Sequence, residues 1–343
     1  MRYKLLGRSG LRVSEIILGT MTFGTDWGWG SSYEESRKIF DVYAQAGGNF
    51  LDTANMYTKG TSEKYVGEFV KGQRDSWVIG TKYSLKNNEN PTVNQAGNHR
   101  KNMVQSLESS LKRLQMDYVD LLWLHCWDYT TPVEEVMRGL DDLVRAGKVL
   151  YVGVSDTPAW VISQANTLAS LSGWSPFIAI QVEYSLKVRD PERDLIPMAR
   201  SFNLGVTAWG PLAAGLLTGK YNKTQEEGKT YRLNEDGTQV TEHDLRIAQT
   251  VLDIAKEVGH TPAQVAINWL VQQGYNLFPI IGARKTEQLK DSLGYDSFKL
   301  TGEQMQRLSQ VSQIKLGDPY DFFNNKIVQE FAFGNTLKQI DHR

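Results

Sequence analysis

The sequence predicts a closed (β/α)8 barrel of the TIM type, and three observations carry that expectation. Eight short runs rich in β-branched residues alternate with longer stretches of helical periodicity, a pattern that implies parallel strands joined by right-handed crossovers. Turn chemistry bounds most of the runs, as in Ala46-Gly-Gly-Asn before the second and Arg145-Ala-Gly-Lys before the fifth. Polar residues then cluster at the C-terminal ends of several different runs, which a barrel alone would gather on one face. An open doubly wound sheet is the alternative, but no Gly-x-Gly-x-x-Gly follows the first run.

The strand candidates are residues 16–19, 49–52, 77–82, 118–125, 149–155, 178–184, 205–209 and 278–282. Amphipathic stretches at 33–46, 100–114 and 132–146 read as helices between them. In the last, Pro132 suits a first helical turn, with Thr131 expected as the N-cap. Residues 2–13 contain a Gly-Arg-Ser-Gly turn and read as a β-hairpin closing one end of the barrel. Residues 210–243 break the rhythm between the seventh and eighth strands, a long polar loop of the kind that often carries function. After Thr301 comes a helical tail ending in an aromatic group that includes Tyr320, Phe322, Phe323, Phe331 and Phe333. No linker interrupts the chain, so residues 1–343 are expected to form one barrel domain.

Composition narrows the function classes. With 38 basic and 39 acidic residues the net charge is −1, which offers nothing to a nucleic acid or a membrane surface. The single cysteine, Cys126, excludes an intramolecular disulfide framework and fits a reducing compartment. Met1-Arg-Tyr-Lys has no apolar signal core, and no run is long enough to span a bilayer, so a cytoplasmic protein is expected. A homo-oligomer is compatible with all of this.

Four strand-end residues could carry chemistry: Asp52 ends the second strand, Lys82 the third and His125 the fourth, and Tyr57 lies on the loop just after Asp52. A tyrosine with pKa near ~10 is a poor proton donor at neutral pH. A neighbouring ammonium stabilises the phenolate and is expected to lower that pKa. A carboxylate beside the lysine keeps the ammonium charged and oriented, and a histidine can meet the substrate oxygen. Tyr57 would then protonate a carbonyl as hydride reaches its carbon. Taken singly, each has a structural reading: a turn cap for Asp52, a solvated Lys82, a core His125, a surface Tyr57. Their convergence by topology is what favours chemistry.

The blocks Leu51-Asp-Thr-Ala-Asn-Met-Tyr57, Thr81-Lys82 and Leu122-Trp-Leu-His125 resemble the Asp/Tyr/Lys/His tetrad of the aldo-keto reductase family. The resemblance runs in register through Val152-Gly-Val-Ser-Asp156, Ile180-Gln-Val-Glu-Tyr-Ser185, Ala208-Trp-Gly-Pro-Leu212 and Ile280-Ile-Gly-Ala-Arg284. It is nearest in pattern to the aryl-alcohol dehydrogenase and potassium-channel β-subunit branches. It implies NADP(H) bound without a Rossmann domain, with Tyr57 as general acid/base, Lys82 and Asp52 assisting it, and His125 placing the carbonyl. It further implies that Ser155, Asp156 and Gln181 hold the nicotinamide carboxamide and that Trp209 stacks on the ring. Gly210, Pro211, Leu212 and Lys220 match the pyrophosphate loop. Gly282, Arg284, Gln288, Asp291 and Ser292 match the adenosine end, and Gly19, Thr20 and Met21, at the end of the first strand, are also expected to bind the cofactor. Arg284, with Lys285 beside it, suits a 2′-phosphate and favours NADP over NAD.

Asp156 and Ser292 stand where the family usually has asparagine. An ionised carboxylate only accepts hydrogen bonds, whereas an amide also donates. Trp27, Trp29 and Trp127, with Trp209, would wall an apolar pocket and point to aromatic carbonyls. Two rivals remain: a Schiff-base aldolase using Lys82, and an NADP-binding redox sensor with little turnover. The segment 214–221 lacks the opening glycine and the Ser/Thr of a phosphate loop. The histidines show no metal-ligand spacing, so no metal is expected. Cys126, adjacent to His125 on a strand, points to the other face.

Overall fold

The computed structural model describes residues 1–86, 88–222, 239–334 and 336–340. Eight parallel strands close into a barrel: β3 (Ile17–Gly19), β4 (Phe50–Asp52), β5 (Val78–Tyr83), β6 (Val119–Leu124), β7 (Val149–Ser155), β8 (Phe177–Glu183), β9 (Gly205–Trp209) and β10 (Leu277–Ile281). Neighbours follow chain order and β10 returns to β3, Ile280 pairing with Ile17, so the open-sheet alternative is excluded. Every expected strand is present within one or two residues at each end.

The first two strands form the hairpin read from sequence. β1 (Tyr3–Leu5) runs antiparallel to β2 (Arg12–Ser14), with Tyr3 opposite Ser14. Its Leu6 and Val13 are fully buried in the inner cluster with Ile17, Phe50, Val78, Leu121, Ile178 and Phe278. The hairpin therefore plugs the end of the barrel where the strands begin.

Period-two alternation divides each strand between two cores. Phe50, Val78, Leu121 and Trp123 fill the barrel, while Leu51, Ile79 and Leu122 pack outward under the helices. Trp123 lies so close to β7 that a Cβ on Gly153 would come 2.5 Å from its ring, so the inner packing requires glycine there.

The outer layer holds α1 (Tyr33–Gln45), α2 (Thr61–Phe69), α3 (Arg100–Leu114), α4 (Val133–Arg145), α5 (Ala159–Ser172), α6 (Leu195–Ser201), α7 (Glu242–Val258), α8 (Pro262–Val271) and α9 (Thr286–Leu293). α10 (Gly302–Val311), α11 (Tyr320–Phe323) and α12 (Lys326–Phe333) make the tail. Thr241 and Asp244 form a capping box that starts α7 at Glu242, so the long loop ends before His243 rather than at it. Residues 223–238 of that loop lie outside the described residues. Thr131 is not the N-cap of α4. Pro132 takes that position, and the Thr131 hydroxyl donates instead to Asp128 Oδ2 at 2.8 Å, completing a turn around that carboxylate.

Candidate active site

The alternation that fills the barrel also selects which strand-end residues face its mouth. Asp52 follows Phe50 by two positions, Lys82 follows Val78 by four, and His125 follows Trp123 by two. Gln181 and Trp209 occupy the same inward register on β8 and β9. Their side chains converge because their strands begin with inward-facing apolar residues.

Lys82 is fully buried, and its Nζ donates to Asp52 Oδ2 at 2.5 Å and to the Thr53 carbonyl at 2.7 Å. Gln181 Nε2 donates to the other Asp52 oxygen at 3.1 Å, so the carboxylate is tied across the barrel. Lys82 Nζ lies 4.7 Å from the centre of the Tyr57 ring. The His125 ring stands edge-on to Tyr57 with centroids 6.0 Å apart. Tyr57 opens a turn whose next three residues, Thr58, Lys59 and Gly60, all have positive φ. That strained backbone is pinned by Thr58 Oγ1 donating to the Phe23 carbonyl at 2.6 Å.

Electrostatics assign the charge states. Burial alone would depress the Lys82 pKa, but Asp52 and Tyr57 outweigh it and hold the ammonium charged. Burial raises the Tyr57 pKa, and the opposing pull of Lys82 does not cancel it. The expected lowering is thus reversed in direction, because removing the phenol from water costs the phenolate more than one ammonium returns. Tyr57 is accordingly held as the neutral phenol, the form that donates a proton. Burial, assisted by Lys82, pushes His125 down to about 3, and its Nδ1 is buried without a partner.

The next strand ends flank this group. Ser155 is buried on β7, and its hydroxyl donates to Asp156 Oδ2 at 3.1 Å. Asp156 has φ +39, a left-handed conformation that Asp and Asn tolerate better than other L residues, which explains why either suits the position. Trp27 stands edge-on to Tyr57 at 6.4 Å and packs on Trp29 at 5.6 Å. Trp127 is half-buried against the outer core, and its backbone N–H donates to the Asp156 carbonyl at 3.4 Å. After β9, Gly210 precedes a tight turn in which Ala213, Ala214 and Gly215 all have positive φ, with Pro211 buried and Leu212 and Lys220 half-buried.

At the β10 end, Gly282 is exposed, and a Cβ there would meet nothing nearer than the Gly19 carbonyl at 3.8 Å. No internal contact demands glycine, so the position is open to an external group. Arg284 is exposed, and Gln288 Oε1 accepts its backbone N–H at 3.0 Å. Asp291 accepts from Thr261 and Gln264 of the α8 N-terminus, and Ser292 is buried. Thr20 is also fully buried, its hydroxyl bonded to the Asp52 carbonyl and to Ser62, whereas Met21 is half-exposed.

Two features escaped the sequence. Asn98 is fully buried, and its Nδ2 donates to Ser84 Oγ at 2.9 Å and to the Cys126 carbonyl at 2.8 Å. Asp128 N–H donates to Asn98 Oδ1, and Asn98 N–H to Asp128 Oδ2. Ser84 Oγ in turn accepts the His125 N–H at 3.2 Å. The backbone on both sides of His125 is thus clamped by a residue that carries no motif in the sequence. Glu183, two residues beyond Gln181 and on the same face of β8, is the second; strand alternation was the signal that could have found it. Among the described residues, no group of three metal-binding side chains occurs, and no helix is long and apolar enough to cross a membrane.

A sequence model of the Aldo/keto reductase family matches residues 15–313. The chain belongs to the aldo/keto reductase family. This aldo/keto reductase is 40% identical to an aryl-alcohol dehydrogenase [NADP(+)] of Phanerodontia chrysosporium, an alignment covering 92% of this chain and 87% of that protein. It is 38% identical to a putative aryl-alcohol dehydrogenase of Saccharomyces cerevisiae, over 93% and 88% of the two chains. With norsolorinic acid reductase of Aspergillus flavus it shares 36% identity over 98% and 87%. The family acts on small-molecule carbonyls with a nicotinamide cofactor, which is the chemistry expected of this barrel mouth.

Proposed function

We propose that this single-domain aldo/keto reductase reduces aromatic aldehydes or ketones to alcohols with NADPH, and that Tyr57 donates the proton. The observation that carries the reading is the buried Lys82, shared between Asp52 and Tyr57. Bound NADPH supplies the hydride. Ser155, Asp156, Gln181 and Trp209 would hold its nicotinamide end, and Gly210, Pro211, Leu212 and Lys220 its pyrophosphate. Gly282, Arg284, Gln288, Asp291 and Ser292, with Gly19, Thr20 and Met21, would take the remainder. The open cradle at Gly282 fits such a group, since a side chain there would fill space that nothing in the protein uses.

Tyr57 delivers its proton to the carbonyl oxygen, while Lys82 stabilises the phenolate that remains. His125, neutral because burial and Lys82 push its pKa to about 3, directs the carbonyl by hydrogen bonding without carrying charge. Trp27 stands beside Tyr57 with Trp29 packed on it, and the two would offer aromatic faces to the substrate. The relatives, an aryl-alcohol dehydrogenase and a norsolorinic acid reductase, support the aromatic reading. The Schiff-base alternative needs a neutral amine, and Asp52 and Tyr57 hold Lys82 as the ammonium.

The test is NADPH oxidation followed by absorbance with a nitrobenzaldehyde. Turnover is expected, and Arg284→Ala is expected to weaken NADPH much more than NADH. Tight NADPH binding without turnover would make the protein a cofactor sensor instead, and equal losses for both cofactors would remove the 2′-phosphate role of Arg284.

A further inference from the structure

The charges at the barrel mouth do not balance. Lys82 is neutralised by Asp52 at 2.5 Å. Two further carboxylates stand above that pair. Asp156 follows β7, and its backbone N–H donates to the Gln181 carbonyl at 3.3 Å. Glu183 ends β8 on the same inward face as Gln181 and opposite Trp209 of β9, with its side chain about the backbone of Gly210. Among the described residues neither has a cationic group within 4.0 Å. Among the described residues the Asp156 carboxylate accepts the Ser155 hydroxyl at 3.1 Å, while Lys187, whose charge acts on Glu183, lies 4.0 Å from Asp244. Each carboxylate is disfavoured by desolvation, and Asp156 raises the pKa of Glu183 further. A ligand carrying positive charge at this spot would relieve both.

We propose that Asp156 and Glu183 form an anionic flank that favours the oxidised, cationic nicotinamide and so biases the bound equilibrium toward alcohol. The inference rests on the reading of the site given above. In the reduction one hydride, with its electron pair, leaves the dihydronicotinamide for the carbonyl carbon, and one proton leaves Tyr57 for the oxygen. The ring ends with a charge of +1 that it did not have before. Negative groups beside it stabilise that product and the transition state leading to it, and do nothing for neutral dihydronicotinamide. The family's usual asparagine at position 156 would lack this effect, which gives the aspartate a physical consequence beyond its hydrogen bonds.

The overall equilibrium of the reaction is fixed, so the bias must appear in relative cofactor affinity. NADP+ and NADPH are titrated separately against the full-length protein at mildly alkaline pH, with tryptophan fluorescence as the readout. Asp156→Asn and Glu183→Gln each change one charge with little change of shape, and asparagine suits the backbone at 156. In each variant the ratio Kd(NADP+)/Kd(NADPH) is expected to rise roughly tenfold, the scale of one charge acting across several ångströms at a protein surface. Should both dissociation constants move together, leaving the ratio unchanged in both variants, the proposal is overturned. Failure of the wild-type protein to bind either cofactor would instead remove the functional reading on which it rests.

Discussion

Lys82 gives its protons to Asp52 and the Thr53 carbonyl and lies over the Tyr57 ring, and each neighbour changes what the others can do. Because Tyr57 stays protonated through neutral pH, carbonyl reduction is expected to hold steady there and to fall only at strongly alkaline pH, where the phenol ionises. His125, pushed down to about 3, adds no titration near its ordinary value of about 6.5. An inflection in kcat/KM near neutrality that His125→Asn abolished would contradict that assignment. The same depression has a stability consequence. The unfolded chain takes up a proton on His125 as pH falls below the unfolded value and the folded chain does not, so stability declines from about 6.5 toward 3. Asn98 acts on His125 only through the backbone. Asn98→Ala is expected to lower kcat by ~10- to 100-fold, with the KM for NADPH nearly unchanged. A uniform loss of folded protein, with normal kcat per folded molecule, would reduce Asn98 to a structural bond.

At the scale of elements, β6 and β7 approach closely because Trp123 lies over Gly153. Gly153→Ala places a methyl against that ring and is expected to cost ~1–3 kcal/mol, measured by urea unfolding. A neutral result would mean that the indole moves freely, which its full burial opposes. α2 is fastened by a buried carboxylate: Glu63 accepts from Thr81 at 2.6 Å and from Arg113 of α3 at 2.5 Å. Removing it in Glu63→Ala strands the Arg113 charge and is expected to cost about 3–5 kcal/mol. Since Thr81 adjoins Lys82, the same variant reports how firmly the helix layer holds the strand that carries Lys82.

Across the whole molecule, stability and chemistry occupy opposite ends of the barrel. The hairpin plugs one end with Leu6 and Val13, and the Asp52, Lys82 and Tyr57 group sits at the other. Leu6→Ala is therefore expected to cost about 2–5 kcal/mol while leaving kcat unchanged below the melting transition. A matching loss of kcat would show that the two ends are coupled. This polarity was legible in the sequence because strand ends in a barrel are fixed by alternation alone, which also brought Gln181 to Asp52. Hydrogen bonds between loops were not legible: nothing local marks Asn98 as the partner of Cys126, or Thr131 as serving Asp128 rather than α4. The direction of the Tyr57 shift escaped for a related reason. Sequence shows which charges are near, but burial is a property of the assembled barrel.

The central claim is that Tyr57 donates the proton, and one comparison tests it most directly: nitrobenzaldehyde reduction and NADPH affinity, measured together in wild type and Tyr57→Phe. The account predicts that turnover falls by roughly 100-fold or more while the Kd for NADPH barely moves, because the substitution removes a proton donor and little else. Turnover retained in Tyr57→Phe, or affinity lost in step with rate, would contradict it.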